Sequence, residues 1–209
     1  MPSEEQMRLF GLYGAIMEEA KVRLSSLGSA MAGAVGIPKA LAREFCFLQL
    51  RMLCELIALG CLAAHGDIQG TTGLRKKYAA DDIIKRLECL HPDFYPSPVR
   101  LDGGASKTRF ATPIESGFLT KDELLSLYRR CGAALHRGTL RKLLSEQVPS
   151  RADFRDIVVW ENLIVVLLTV HFIQLHDGER MFCMLRNVDD GNHVQVTVLS
   201  LNPPPQPSI

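Results

Sequence analysis

The chain has 209 residues, of which 47% are apolar and 22% charged, with 24 Lys and Arg against 23 Asp and Glu. At this length roughly 70% of the unfolded surface is buried on folding, so a core forms without disulfides or metals. The even charge balance excludes an acidic solvating chain and any global pull toward nucleic acid. Aromatics are only 7%, so the core must rest on Leu, Ile, Val, Ala and Met.

The first helix is expected from about Ser3 to Leu24. Glu4 and Glu5 sit at its positive end, and Phe10, Leu12, Tyr13, Ile16 and Met17 form its apolar stripe. Residues 25–39 contain three glycines and Pro38, which mark a connection. The Gly28-x(4)-Gly33 spacing there is followed by Ala34 and Val35. A phosphate-binding loop needs Lys and Ser or Thr at those places, so that reading is excluded. Helix two, about 39–64, is apolar nearly all round and therefore central. Residues 70–78 read as a loop. Helix three, 79–90, opens with Asp81 and Asp82 and stops at His91-Pro92. PVRL and KTRFAT flank DGGAS and predict a hairpin at about 99–111.

Thr120 and Glu123 form a capping box that starts helix four, which runs at least to Leu135. A break at Gly138 and a short helical piece at 140–146 follow. Helix five is expected from about Ser150 to Leu175. A β-hairpin at 181–201 turns at Asp190-Gly191, and the Pro-rich residues 202–209 form a tail. The expected fold is mainly α: one domain over 1–201, a bundle of four to five helices with two small β-hairpin additions. Leu48, Met52, Leu59, Leu62, Val165, Leu168 and Phe172 are its expected core positions.

Residues 45–64 and 157–175 each have the length of a membrane span. The first holds Arg51 and Glu55, the second Glu161, Asn162, His171 and Gln174. An ionised residue near a bilayer centre costs roughly 2.5–3.5 kcal/mol, so both are expected to be buried helices, with no membrane partner. The six cysteines form no CxxC pair and read as small buried hydrophobes. Cys54 and Cys61 are two helical turns apart, too far to bridge. The N-terminal MPSEEQMRLF is no secretory signal, so a cytoplasmic location is expected.

Arg51, Glu55 and His65 fall on one side of helix two. An internal ion pair and a satisfied histidine account for them. The functional alternative makes Arg51 part of a site wall, since buried charge needs a partner. Glu88 and His91 form a single E-x-x-H, whereas a di-iron bundle needs two. His171 and His176 are five apart, on different helical faces. No metal and no cofactor are expected, and no G-x-S-x-G elbow is present. From Arg129 to Lys142 the sequence RRCGAALHRGTLRK holds five basic residues, one histidine and no acid. Such a run either relieves the negative end of helix four or contacts phosphate.

Within that run, LYRRCGAALHRG resembles the R-x(4–6)-H motif of the HEPN superfamily. The resemblance implies a compact helical bundle, often dimeric. It is either a metal-independent ribonuclease of toxin–antitoxin or defence type or a non-catalytic RNA-binding or partner module. In the nuclease, His136 would act as general acid or base on a ribose 2′-hydroxyl. Arg129 or Arg130 would hold the scissile phosphate. Arg129 lies seven before His136 and shares its helical face; Arg130 is the alternative frame. Arg137, Arg141, Lys142 and Arg51 are the candidate substrate-binding residues. RNA and a second copy of the chain are the implied partners. The other reading is a non-catalytic helical module that docks a protein partner or its own copy.

Overall fold

The structure, a computed structural model, describes residues 3–102, 110–136 and 153–199. Helix α1 spans Glu4–Met31. Ser3 accepts from the Gln6 backbone N–H while the Gln6 side chain accepts from the Ser3 N–H, a closed capping box. The helix runs seven residues past its expected end at Leu24. Leu27 and Ala30 extend the buried stripe of Phe10, Tyr13, Met17, Ala20 and Leu24, and that packing overrides the weak helix propensity of Gly28 and the serines. The chain turns only at Gly33 and Gly36, both at positive φ.

Helix α2, Lys39–Ala64, runs antiparallel to α1 and lies at the centre, as its all-round apolar sequence predicts. Gly60 lies on the face that meets α1. A Cβ there would come 3.2 Å from Met17 and Tyr13, so a glycine lets the two helices meet. A 3-10 turn at Thr72–Lys76 leads to α3, Ala80–Leu90. Helix α4, Lys121–Leu135, starts at the Thr120–Glu123 capping box, and α5 covers Arg155–Thr169.

Five strands accompany these five helices among the described residues: β1 Ser97–Asp102, β2 Phe110–Pro113, β3 Val170–Gln174, β4 Arg180–Asn187 and β5 His193–Leu199. Both predicted hairpins are present, β1–β2 and β4–β5. They are not separate additions to a bundle. Strand β3 joins them into one antiparallel sheet of order β2-β1-β3-β4-β5. The fold is therefore a mostly helical α/β mixture rather than a helical bundle. Strand β3 occupies residues expected to continue helix five. Its pattern alternates, with His171 and Ile173 buried and Val170, Phe172 and Gln174 less so. That period of two fits a strand, but a short apolar run gives little to tell it from buried helix. The join between the two halves is short: only Ser97–Phe172 and Pro98–His171 pair across it.

Helix α1 lies against β5, and α5 lies against β1, β3 and β4. Their shared core includes Leu50, Leu53, Ile57, Ile164, Leu167 and Leu168, all 0–1% exposed. Of the expected core positions, Leu62 and Leu168 are buried and Met52, Leu59 and Phe172 half-buried. Leu48 and Val165 are corrections, at 42% and 38% exposure. Each sits one helical step off the buried face. Helix α2 is long and apolar enough to cross a membrane, yet 67% of its most apolar window is buried in the fold. Residues 157–175 divide between α5 and β3 and make no continuous helix. Cys46, Cys54, Cys61, Cys131 and Cys183 are buried free thiols, and Cys89 is exposed.

Candidate functional site

Helix α4 buries Leu124, Leu127, Tyr128 and Cys131. That face meets α2, and it leaves Arg129 and Arg130 on the outside. Arg129 donates from Nε only to the Leu125 carbonyl of its own helix, at 3.2 Å. Arg130 reaches across to α5 and donates to Asp156 Oδ2 at 2.7 Å. Asp156 is also gripped from α2 by both Nη atoms of Arg43, each at 2.8 Å. The Arg43 guanidinium in turn lies 5.0 Å from the Phe47 ring centroid. The two arginine frames are thus not equivalent. Arg130 is held in an ion-pair cluster, while Arg129 has no acidic partner among the described residues.

His136 is the C-cap of α4 and the first residue with extended backbone. Its backbone N–H donates to Gly132 O at 3.2 Å. The side chain is exposed, with no partner among the described residues. Arg137, Arg141 and Lys142 lie outside the described residues.

Arg51 is drawn inward. Its Nε lies 3.2 Å from Glu55 Oε1, and its Nη2 donates to the Tyr128 hydroxyl at 2.8 Å. That hydroxyl donates to Glu55 at 3.1 Å, and the guanidinium sits 4.3 Å over the Tyr128 ring. A Cβ at Gly132 would stand 3.2 Å from Arg51 Nη1. Arg51 therefore cross-links α2 to α4. His65 is fully buried between the carbonyls of Cys61, 2.8 Å from Nδ1, and Gln174, 3.1 Å from Nε2. Burial pushes its pKa down. The E-x-x-H residues part company: Glu88 pairs with Lys121, and His91 Nε2 lies 2.8 Å from the Gln174 carbonyl. No cluster of three or more metal-ligating side chains occurs among the described residues.

A concavity lies elsewhere. An open groove of about 1220 Å³ runs between α1 and α2. Leu9, Leu12, Ile16, Leu56, Leu59 and Leu62 form its floor and sides, and Glu4, Glu5, Arg8, Glu19 and Arg75 form its rim. No family model, curated protein or solved structure matches this chain.

Sequence reasoning missed this groove. The signal was present: α2 carries apolar residues at 41, 45, 48, 52, 56, 59 and 63, a complete helical stripe, in addition to the faces that meet α1 and α4. It also missed Asp156 as the partner of Arg130, because a carboxylate 26 residues away on another helix leaves no mark in local spacing.

The Arg43–Asp156–Arg130 cluster gives one expected result. Hydrogen bonds from Arg43, reinforced by Arg130, hold the Asp156 carboxyl down at about 2. A carboxyl whose pKa is lower folded than unfolded adds stability above about pH 4, and that stability is lost as pH falls toward 2. Asp156→Asn should cost about 1–2 kcal/mol at pH 7, because the carboxylate keeps 27% of its side-chain surface in water and screening limits the gain. It should also flatten the acid limb of the urea-midpoint profile. An unchanged acid limb would show that another group controls it.

Proposed function

We propose that this protein is a non-catalytic helical interaction module whose working surface is the α1–α2 groove. One observation carries the reading. The α1–α2 groove is lined by six large aliphatic side chains with charges at its rim, which is the chemistry of a helix-binding groove. The charged side chains of the candidate motif do not support an enclosed catalytic cleft, since Arg130 and Arg51 are engaged by carboxylates and His136 stands at a helix end.

A photo-reactive benzophenone side chain introduced at Leu12, half exposed on the groove, tests this. It is expected to cross-link to protein in cells, while the same group at Tyr78, 74% exposed, does not. Equal cross-linking at both sites, or none at Leu12, would end the groove reading.

The exposed Arg129 and His136, beside the basic run that continues to Lys142, support a second reading: an HEPN-like protein acting on RNA without a metal, in the cytoplasm. Under it, His136→Ala should abolish RNA cleavage, a loss of about 10²–10⁴ in rate. Arg129→Ala should lose cleavage, and Arg130→Ala should instead loosen the Asp156 cluster. A folded wild type that neither cleaves nor binds RNA in metal-free buffer removes this reading and leaves the first intact.

A further inference from the structure

We propose that the α1–α2 groove is a homodimer interface, closed by α1 of a second copy running antiparallel across it. This rests on the groove being the working surface and names what occupies it.

The charge order along α1 supplies the argument. On the groove side the helix carries Glu4, Glu5 and Arg8, then Leu9, Leu12 and Ile16, then Glu19; Arg23 follows one turn on, bonded to Glu19 and to Gln49 of α2. The signs read minus, plus, apolar, minus, plus. Reversed about a point near residue 14, the same helix reads plus, minus, apolar, plus, minus. Arg8 then faces Glu19 of the second copy, Glu5 faces its Arg23, and Leu12 faces its Ile16. A two-fold axis makes each pairing occur twice, so one surface is complementary to itself. A parallel arrangement would set every charge against its like.

Three further facts fit the same occupant. Arg8, on the rim, has no ion-pair partner among the described residues. Leu12, at the centre of the crossing, is 51% exposed. The stripe on α2 continues the apolar surface beyond the groove through Met52, Leu48 and Leu41, the last two 42% and 52% exposed. From Glu5 to Arg23 the helix extends about 27 Å, long enough for the roughly 800 Å² per partner of a standard interface. Glu5 and Arg23 now bond to Arg75 and Glu19. The Glu5–Arg75 pair is exposed on both sides and exchanges partners at little cost, whereas Arg23 is 22% exposed and also holds Gln49. Helix α4 lies on the other flank of α2, which it meets through Arg51 and Glu55, while Gln49 and Gly60 face α1.

Sedimentation equilibrium of the full chain tests the proposal. The wild type is expected to have the mass of two chains at micromolar concentration. Arg8→Glu alone and Glu19→Arg alone each place like charges at both crossings and should raise the dimer Kd by about tenfold or more. Mixing the two single variants restores opposite charges at both crossings, so a heterodimer should form with near wild-type affinity. Leu12→Asp should be monomeric yet still melt cooperatively, because the site is half exposed in the monomer; its melting temperature should not depend on protein concentration, whereas that of the dimeric wild type should. A single-chain mass for the wild type up to roughly 100 µM overturns the proposal. So does a dimer that ignores Leu12→Asp and the charge exchange. If the wild type is monomeric but the benzophenone at Leu12 still captures another protein, the second copy is the wrong occupant and the groove reading survives. If neither association occurs, both fall.

Discussion

Leu168→Ala should lower the stability of the fold by about 2–5 kcal/mol, whereas Val165→Ala, one turn earlier on the same helix, should cost less than about 1 kcal/mol. Leu168 is 0% exposed at the junction of α5 with the sheet, and its removal leaves a cavity that neighbouring side chains cannot collapse to fill. Val165 is 38% exposed and loses little contact. In a domain of this size each kcal/mol moves the melting temperature by about 2–4 °C, so the two variants should be separated by several degrees. Equal urea midpoints for the two would mean that α5 is rotated from the orientation described.

The second large effect is on the acid side of neutrality. His171 is fully buried, its Nε2 2.5 Å from the Tyr13 hydroxyl and its Nδ1 3.2 Å from the Leu168 carbonyl. The neutral ring with its proton on Nδ1 satisfies both contacts: it donates to the carbonyl and accepts from the tyrosine. Burial lowers its pKa to about 4, a shift only partly offset by the Leu168 carbonyl. The unfolded chain takes up a proton near pH 6.5 while the folded chain refuses it until about pH 4. Between those values the unfolded state binds more protons, so stability falls as pH falls. The expected loss is about 3 kcal/mol across the window. His171→Leu, which lacks this ring, should lose that part of the pH dependence and keep the part due to His65, whose pKa burial also lowers. Tyr13→Phe removes the hydroxyl that Nε2 accepts from and should cost about 1–3 kcal/mol at pH 7. A wild-type midpoint that stays flat from pH 7 to pH 4 would contradict the neutral buried ring.

The sequence showed most of the helices, and the reasons lie in local signals. Thr120 and Glu123 mark the start of α4 because a capping box is complete within four residues. Asp81, Asp82 and Pro92 bracket α3 in the same way. The end of α1 was not visible, because Gly33 and Gly36 resemble the glycine at 28 in sequence, and only the packing of Leu27 and Ala30 sets them apart. Strand β3 was hidden for a related reason. Val170 and Phe172 follow a helix without an intervening turn residue, and what fixes them as strand is pairing with β4 across the turn at 175–179, not any signal within the run itself. The candidate site divides along the same line. The spacing of Arg129 and His136 is local and was readable. The capture of Arg130 by Asp156 and of Arg51 by Tyr128 depends on how α2, α4 and α5 pack, and that decides which of these cations faces solvent.

The join between β1 and β3 sets an order of assembly. Strands β3, β4 and β5 are neighbours in sequence, as are β1 and β2, so each group closes short loops and can form early. Ser97–Phe172 and Pro98–His171 bring together residues about 75 positions apart, and the chain entropy of closing that loop is lost before the contact returns anything. Pro98 has no N–H to give to β3, so the join holds fewer hydrogen bonds than a ladder of the same length elsewhere. The five strands thus behave as two sheets hinged at one seam. What holds the seam is α5, which packs on both sides of it, so the sheet becomes continuous only when that helix has docked.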